Sequence, residues 1–326
     1  MRRRILATAT VAVAALSLAA CGTTEPSSDD SAASAGPAGK ITLTDAKGTK
    51  VTLDGPATKV VATEWNVVED LVTLGVAPVG VADVKGYTAW NTAAPLTGKP
   101  KDIGTRGEPS IDTVAALAPD LVVATGDLAP AVVKQLRKVA PVLEVTSADA
   151  ADQIGTMTEG LDLIAKATGK EDRAETVKKD FEASLAEGRK ALADAGLGGA
   201  EIASADGYVA SNQVSVRAYT SGSLLGAVNE RLGLKNAWAV KGDKSYGLAT
   251  TDVEGLTGLG DVQFSYIAND VDGDAFAGTL AKNAVWKSLP FVKDDNVHRL
   301  PDGVWMFGGP RSMEAYADSL VDALTK

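Results

Sequence analysis

The chain reads as an α/β protein of two Rossmann-like lobes joined by a long helix, and three patterns predict it. Short apolar runs bounded by Gly, Asp and Pro alternate with stretches of helical periodicity, as strands covered by helices do. The two halves echo each other. Segment 69–76 (EDLVTLGV) is matched by 227–234 (AVNERLGL), each the end of a helix stopped by glycine before a strand. Likewise Ser110-Ile111-Asp112 leads to the apolar run at 121–124, and Asp252-Val253-Glu254 leads to the run at 264–268. Between the halves, Ile154, Met157, Leu161 and Ile164 recur at helical spacing, which predicts one amphipathic helix over 148–168.

Taken in order, residues 1–20 are a basic start, Met1-Arg2-Arg3-Arg4, followed by an apolar run too short and too rich in alanine for a membrane span. They are expected to be a cleaved signal peptide. The run ends in Leu18-Ala19-Ala20-Cys21, which resembles the lipoprotein signal of bacteria and implies a lipidated Cys21 as first mature residue. Residues 21–39 are Ser, Ala, Gly, Pro and acids, and should form a flexible tether of about 25 Å. An N-terminal lobe follows at 40–147, with strands expected at 59–62, 78–82, 121–124 and 142–145. The run at 121–124 is continuously apolar, as in a strand covered on both faces. The connecting helix occupies 148–170, with Ser147 or Asp149 as its cap and Gly169 as its terminator. The C-terminal lobe, 171–326, opens with a second helix over 171–195, whose Val177, Phe181, Leu185 and Leu192 share a face. Its strands are expected at 201–204, 214–219, 264–268 and 297–300.

Composition excludes several functions. The formal net charge is −10, and three units more negative once Arg2, Arg3 and Arg4 leave with the leader. Such a chain is poorly suited to nucleic acid or anionic lipid. One cysteine allows no internal disulfide. One histidine, His298, is too few for a site that captures bare zinc or manganese. His298 lies in what reads as a strand, and the sequence contains no Gly-x-Ser-x-Gly elbow. No catalytic residue, no metal ligand set and no cofactor is therefore expected.

The aromatic residues carry more information. Of the five tryptophans, Trp65, Trp90, Trp238, Trp286 and Trp305, most stand within two residues of Gly, Asn or Asp, where loops are expected. Trp65 follows the first strand of the N-terminal lobe, and Trp305 and Phe307 precede Gly308-Gly309-Pro310. Loops at the carboxyl ends of strands in open α/β sheets bind ligands, and aromatics there give rigid contact area. The plain alternative for each is packing in a small core.

Several segments together resemble the ferric-hydroxamate siderophore-binding proteins of ABC importers. They are Glu64-Trp65-Asn66, Leu74-Gly75-Val76, Trp90, Gly104-Thr105-Arg106-Gly107-Glu108-Pro109, Leu232-Gly233-Leu234, Trp286-Lys287-Ser288-Leu289-Pro290 and Val304-Trp305-Met306-Phe307. The likeness spans essentially all of 40–326. It implies the class III periplasmic-binding-protein fold, a shallow cleft between two lobes, and a solute-binding function without enzymatic activity. In that family an arginine of the Gly-x-Arg-x-Glu-Pro segment contacts the iron-bound hydroxamate oxygens, which places Arg106 on the ligand. A planar guanidinium can give two bonds to oxygens that keep partial negative charge. Trp90 matches a pocket aromatic. Trp305 and Phe307 match a Trp-x-Tyr pair with the hydroxyl lost, and Tyr246 matches a pocket tryptophan. Asp127 falls where the family has a pocket tyrosine. Trp65, Arg217, Tyr219 and Trp238 complete the expected ligand contacts. The resemblance also implies that Asp112 and Glu254 dock onto arginines of the two permease subunits.

A hexadentate trihydroxamate fills the coordination shell of iron and leaves a nearly neutral package. A triscatecholate is more anionic and calls for clustered cations. Arg217, Arg299 and Arg311 are scattered along the chain. The preferred cargo is therefore an iron(III) hydroxamate of the ferrioxamine or ferrichrome kind, with catecholate, haem or cobalamin as alternatives on the same fold and a tethered hydrolase as a distant one. The expected partners are that siderophore, an ABC permease dimer and the outer face of the cytoplasmic membrane through the lipid anchor alone. The chain itself is expected to be monomeric.

Overall fold

Two separate sheets form, one on each side of a helical connection, in a computed structural model that describes residues 39–210 and 213–326. The leader 1–20, Cys21 and the tether up to residue 38 lie outside the described residues. A small antiparallel pair, β1 (Ile41–Thr44) and β2 (Lys50–Leu53), comes first. Its turn is held by Asp45, whose carboxylate accepts the N–H groups of Lys47 and Thr49.

The N-terminal sheet is built from β3 (Val60–Ala62), α1 (Trp65–Thr73), β4 (Gly80–Val81), α2 (Val84–Trp90), β5 (Lys101–Asp102), α3 (Ile111–Leu117), β6 (Leu121–Thr125), α4 (Pro130–Leu136) and β7 (Val142–Val145). All five strands are parallel, in the order β5-β4-β3-β6-β7. Every residue of β3, β6 and β7 is buried, as a sheet covered on both faces requires. The chain moves outward from β3 to β4 and β5, then returns to place β6 against β3's other edge. Between β3 and β6 the winding reverses, so the loops after these strands diverge and leave a crevice.

The connecting helix α5 (Gln153–Thr168) starts later than its periodicity suggests. Residues 149–152 form a turn in which Asp149 takes the N–H of Ala151. Asp152, rather than Ser147 or Asp149, caps the helix by accepting from Gly155 N–H at 2.9 Å. Gly169 ends it in the left-handed region, φ 66°, where glycine carries no Cβ penalty. After Lys170 comes α6 (Glu171–Asp194). Leu161, Ile164, Phe181 and Leu185 belong to one core with Leu71, Leu225 and Tyr316, so the helices carry continuous apolar packing from one sheet to the other.

The second sheet is mixed. Its elements are β8 (Glu201–Ala210), β9 (Gln213–Tyr219), α7 (Leu224–Arg231), β10 (Lys235–Asn236), β11 (Leu248–Thr251), β12 (Gln263–Ile267), α8 (Ala275–Gly278), α9 (Ala284–Ser288), α10 (Pro290–Lys293), β13 (Val297–Arg299) and α11 (Pro310–Thr325). The order is β11-β9-β8-β12-β13, with β10 beside the start of β8. β10, β12 and β13 are parallel to β8, and β9 is antiparallel to it. The resemblance between the halves is thus incomplete. β8 runs to Ala210 through Asp206 and Gly207, which look like turn formers. Asp206 is instead paired across the register with Arg217, and a Cβ on Gly207 would lie 3.1 Å from the Phe276 ring. Among the described residues no helix is long and apolar enough to cross a membrane.

Candidate ligand-binding cleft

The crevice beyond β3 is walled by aromatic rings and two arginines that reach it from opposite sheets. Trp65 opens α1 directly after β3, and its indole N–H donates to the Ala82 carbonyl at 3.1 Å, which fixes the ring. Glu64, the N-cap of α1, accepts from Trp65 N–H at 2.8 Å and from the Arg106 guanidinium at 2.9 Å through the same oxygen. Arg106 projects from the loop after β5, which a backbone bridge between Gly104 and Pro109 closes. Its guanidinium lies 4.1 Å from the centre of the Trp65 ring and 5.3 Å from that of Trp305. Stacked and paired in this way, the group is held before any ligand arrives.

Trp305 is the hub of the wall. Its ring centre is 4.6 Å from Trp65, 6.1 Å from Trp90 and 5.3 Å from Phe307, each in edge-to-face geometry. Phe307 continues the wall to Tyr246 at 5.5 Å. Tyr246, from the loop before β11, donates its hydroxyl to the Asp127 carboxylate in the loop after β6. Burial and that carboxylate push the phenol's pKa up, so Tyr246 stays a neutral donor. At the other end the Trp90 indole N–H donates to Asp272 at 2.7 Å, and Asn269 donates to the Ala89 carbonyl at 2.8 Å.

Arg217, on β9, pairs through two nitrogens with Asp206 of β8, and its guanidinium lies 5.2 Å from the Phe307 ring. Two adjoining cavities result, of about 620 and about 340 Å³, and Arg106, Arg217 and Trp305 border both. Trp65 and Trp90 line the larger, and Tyr246 and Phe307 the smaller. The structure thus brings Trp65, Trp90, Arg106, Arg217, Tyr246, Trp305 and Phe307 to one place.

Two expected ligand residues line neither of these two cavities. Tyr219 is buried beneath the cleft with its hydroxyl 3.2 Å from Asp206, where it supports the Asp206–Arg217 pair. Burial and the Asp206 charge hold its pKa well above the ordinary phenol value. Trp238 follows β10 and is buried in the C-terminal core with Phe264 and Trp286, its indole N–H on the Ser204 carbonyl at 2.9 Å. It borders neither cavity. Asp112 and Glu254 are exposed on the first turns of α3 and of a 3-10 helix (Glu254–Gly258), outside the cleft lining.

Sequence reading missed the acids that hold the site: Glu64, Asp206 and Asp272. The place of Glu64 before a helix start was a usable signal. Asp206 shows its role only through strand register, and Asp272 only through a contact across the cleft. His298 lies away from these cavities, its Nε2 2.7 Å from Gln263 Oε1, and burial lowers its pKa. Among the described residues no group of His, Cys, Asp and Glu is placed to hold a metal ion. Rigid aromatic walls with fixed guanidinium donors suit the grip of a bulky, largely apolar molecule that presents a few acceptor oxygens.

Comparison with known proteins agrees with this architecture. The Fe(3+)-citrate-binding protein YfmC of Bacillus subtilis is 30% identical over 288 residues, 83% of this chain and 82% of that one. The iron(3+)-hydroxamate-binding protein FhuD of Escherichia coli is 24% identical over 270 residues, 82% and 86% of the two chains. The Fe3+-Desferal-bound siderophore-binding protein FhuD from Vibrio cholerae superposes with a TM-score of 0.75 at 26% identity, over 82% of this chain and 98% of that one. FeuA of Bacillus subtilis, complexed with ferri-bacillibactin, shares the fold with a TM-score of 0.69 at 20% identity. The chain is a member of the periplasmic binding protein family, matched over residues 60–303, with the helix-bridged class III fold.

Proposed function

We propose that the protein is the lipid-anchored solute-binding component of an ABC importer, which captures iron(III) hydroxamate siderophores outside the cytoplasmic membrane and delivers them to a permease dimer. The observation that carries this reading is Arg106, stacked 4.1 Å above Trp65 and anchored on Glu64, with Arg217 facing it from the opposite sheet. Two separated guanidiniums can bond hydroxamate oxygens on the iron while Trp65, Trp90, Trp305, Phe307 and Tyr246 pack on the methylene arms. The iron(3+)-hydroxamate-binding relative and the Desferal-bound neighbour support the same cargo. Each cleft arginine already carries a carboxylate partner, so little free positive charge remains for a strongly anionic chelate. In this reading Cys21 bears the lipid, the protein works as a monomer, and Asp112 and Glu254 meet the permease.

The Fe(3+)-citrate-binding relative favours ferric citrate as the competing cargo. Intrinsic tryptophan fluorescence separates the two, because an iron chelate beside Trp65, Trp90 and Trp305 quenches them. Saturable quenching by ferrioxamine B or ferrichrome, with none by ferric citrate or a ferric triscatecholate, is the expected result. Quenching by citrate or catecholate alone would overturn the hydroxamate reading.

A further inference from the structure

Resting on the hydroxamate reading, we propose that the cleft selects iron(III) hydroxamates that carry a free alkylammonium arm, seated against the Asp272 carboxylate and the ring of Trp90. The two cavities are lined by Glu64, Asp206, Asp272 and Asp274 against only Arg106 and Arg217. Three of these acids are neutralised in place. Glu64 holds Arg106 at 2.9 Å, Asp206 holds Arg217, and Asp274 holds Arg299 at 3.0 Å. Arg299 also binds Asp270 and Asp302 through Nη2, so its charge is committed to Asp272's neighbours. Asp272 has no such partner: among the described residues no cation lies within 4.0 Å of it. Its contact in the cleft is the Trp90 indole N–H at 2.7 Å, donated from the other lobe.

That combination suits an ammonium group. A carboxylate in a cavity that Trp90 and Trp305 also line supplies a counter-charge next to aromatic surface. Tyr208 and Val209 line the same cavity and are 58% and 51% exposed, so a methylene arm can cover them on its way to Asp272. A neutral iron trihydroxamate with one ammonium is a monocation, opposite in sign to the lining and to the chain's net charge of −10. Ferric citrate and triscatecholate complexes, being anionic, meet the same acids with the wrong sign.

The test compares ferrioxamine B with its N-acetylated derivative, which keeps the iron centre and loses the charge. Because the Asp272 carboxylate is exposed, the protein should bind the amine form about 3- to 5-fold more tightly, and the margin should shrink as salt is raised. Asp272→Asn, which can still accept from Trp90, should abolish most of the preference, the amine form losing clearly more affinity than the acetylated chelate. Asp274→Asn, at an acid already paired with Arg299, should keep the preference. Equal wild-type affinity for both chelates, or an equal loss for both in Asp272→Asn, overturns the inference and leaves the hydroxamate reading standing. Binding of neither chelate removes both.

Discussion

Glu69 and Ser312 lie 243 positions apart, yet both oxygens of the Glu69 carboxylate are taken by Ser312, Oε1 by its N–H at 2.8 Å and Oε2 by its hydroxyl at 2.6 Å. Asn91, beside Trp90, donates to Oε2 at 2.7 Å. α11 begins at Gly309-Pro310 with no side-chain cap of its own, so an acid of α1 caps it from the other half of the molecule. The loop bearing Trp305 and Phe307 ends at this capped turn. One buried carboxylate therefore sets the aromatic wall from both sides.

The consequence for stability is direct. Glu69→Ala leaves buried donors of Ser312 and Asn91 without acceptors and should cost about 1–3 kcal/mol for each donor that finds no new partner. Glu69→Gln keeps the shape and one acceptor, and should cost about 1–3 kcal/mol. Urea denaturation measures both. The folded fraction of Glu69→Gln should also bind the chelate more weakly, because the wall it positions is loosened.

Asp70, the next residue, is buried with Oδ1 lacking any hydrogen-bond partner. Burial, and then the charge of Glu69, hold its pKa well above the ordinary carboxylate value. Burial likewise raises Glu69 despite its bonds from Ser312 and Asn91. A folded-state pKa raised above the unfolded one means that the folded chain keeps a proton which the unfolded chain releases. The stability this contributes is full below the ordinary carboxylate range and is lost as pH rises through the raised values. Asp70→Asn should flatten that decline and stabilise the protein at pH 8 relative to wild type. Urea midpoints from pH 5 to 8 check it, and an unchanged slope in the variant would count against the mechanism.

These particular residues also show what a linear sequence can carry. The periodicity of Leu161 and Ile164 announces α5, but its start depends on which of several nearby acids wins the cap, and Asp152 does. Arg106 is legible because its loop has a distinctive spacing. Its partner Glu64 is 42 positions away, and pairing at that range follows from strand order rather than from local pattern. Trp238 looks like a loop aromatic until the sheet places the Ser204 carbonyl under its indole N–H. The antiparallel pairing of β8 with β9 hides behind Asp206 and Gly207, whose turn propensity is overridden by Arg217 and Phe276.

Arg106 offers a sharper test of binding than removal of an aromatic. Lysine keeps the charge but has neither the plane that stacks on Trp65 nor the fork that bonds two oxygens. Arg106→Lys and Arg106→Ala should therefore both weaken hydroxamate binding by about 10- to 100-fold, the equivalent of a charge-assisted bond. Because the Arg106 side chain is 36% exposed, its pair with Glu64 contributes little to stability, and unfolding free energies should stay within about 1 kcal/mol of wild type. Near-wild-type affinity in the lysine variant would show that charge alone suffices.

On the proposed function, substitutions at Asp112 and Glu254 should separate capture from delivery. Both are exposed and neither lines the cleft, so the charge-reversed pair Asp112→Lys and Glu254→Lys should bind the siderophore with unchanged affinity. Locally, Asp112 sits on the first turn of α3, and its reversal should cost no more than about 1 kcal/mol through the helix dipole. At a permease surface of arginines the same change turns attraction into repulsion worth several kcal/mol. Siderophore uptake, and stimulation of the transporter's ATPase in proteoliposomes, should then collapse while the fluorescence titration is unaltered. Normal uptake by the doubly reversed protein would place the docking contacts on other residues. Loss of chelate affinity would mean that these acids act on the cleft itself.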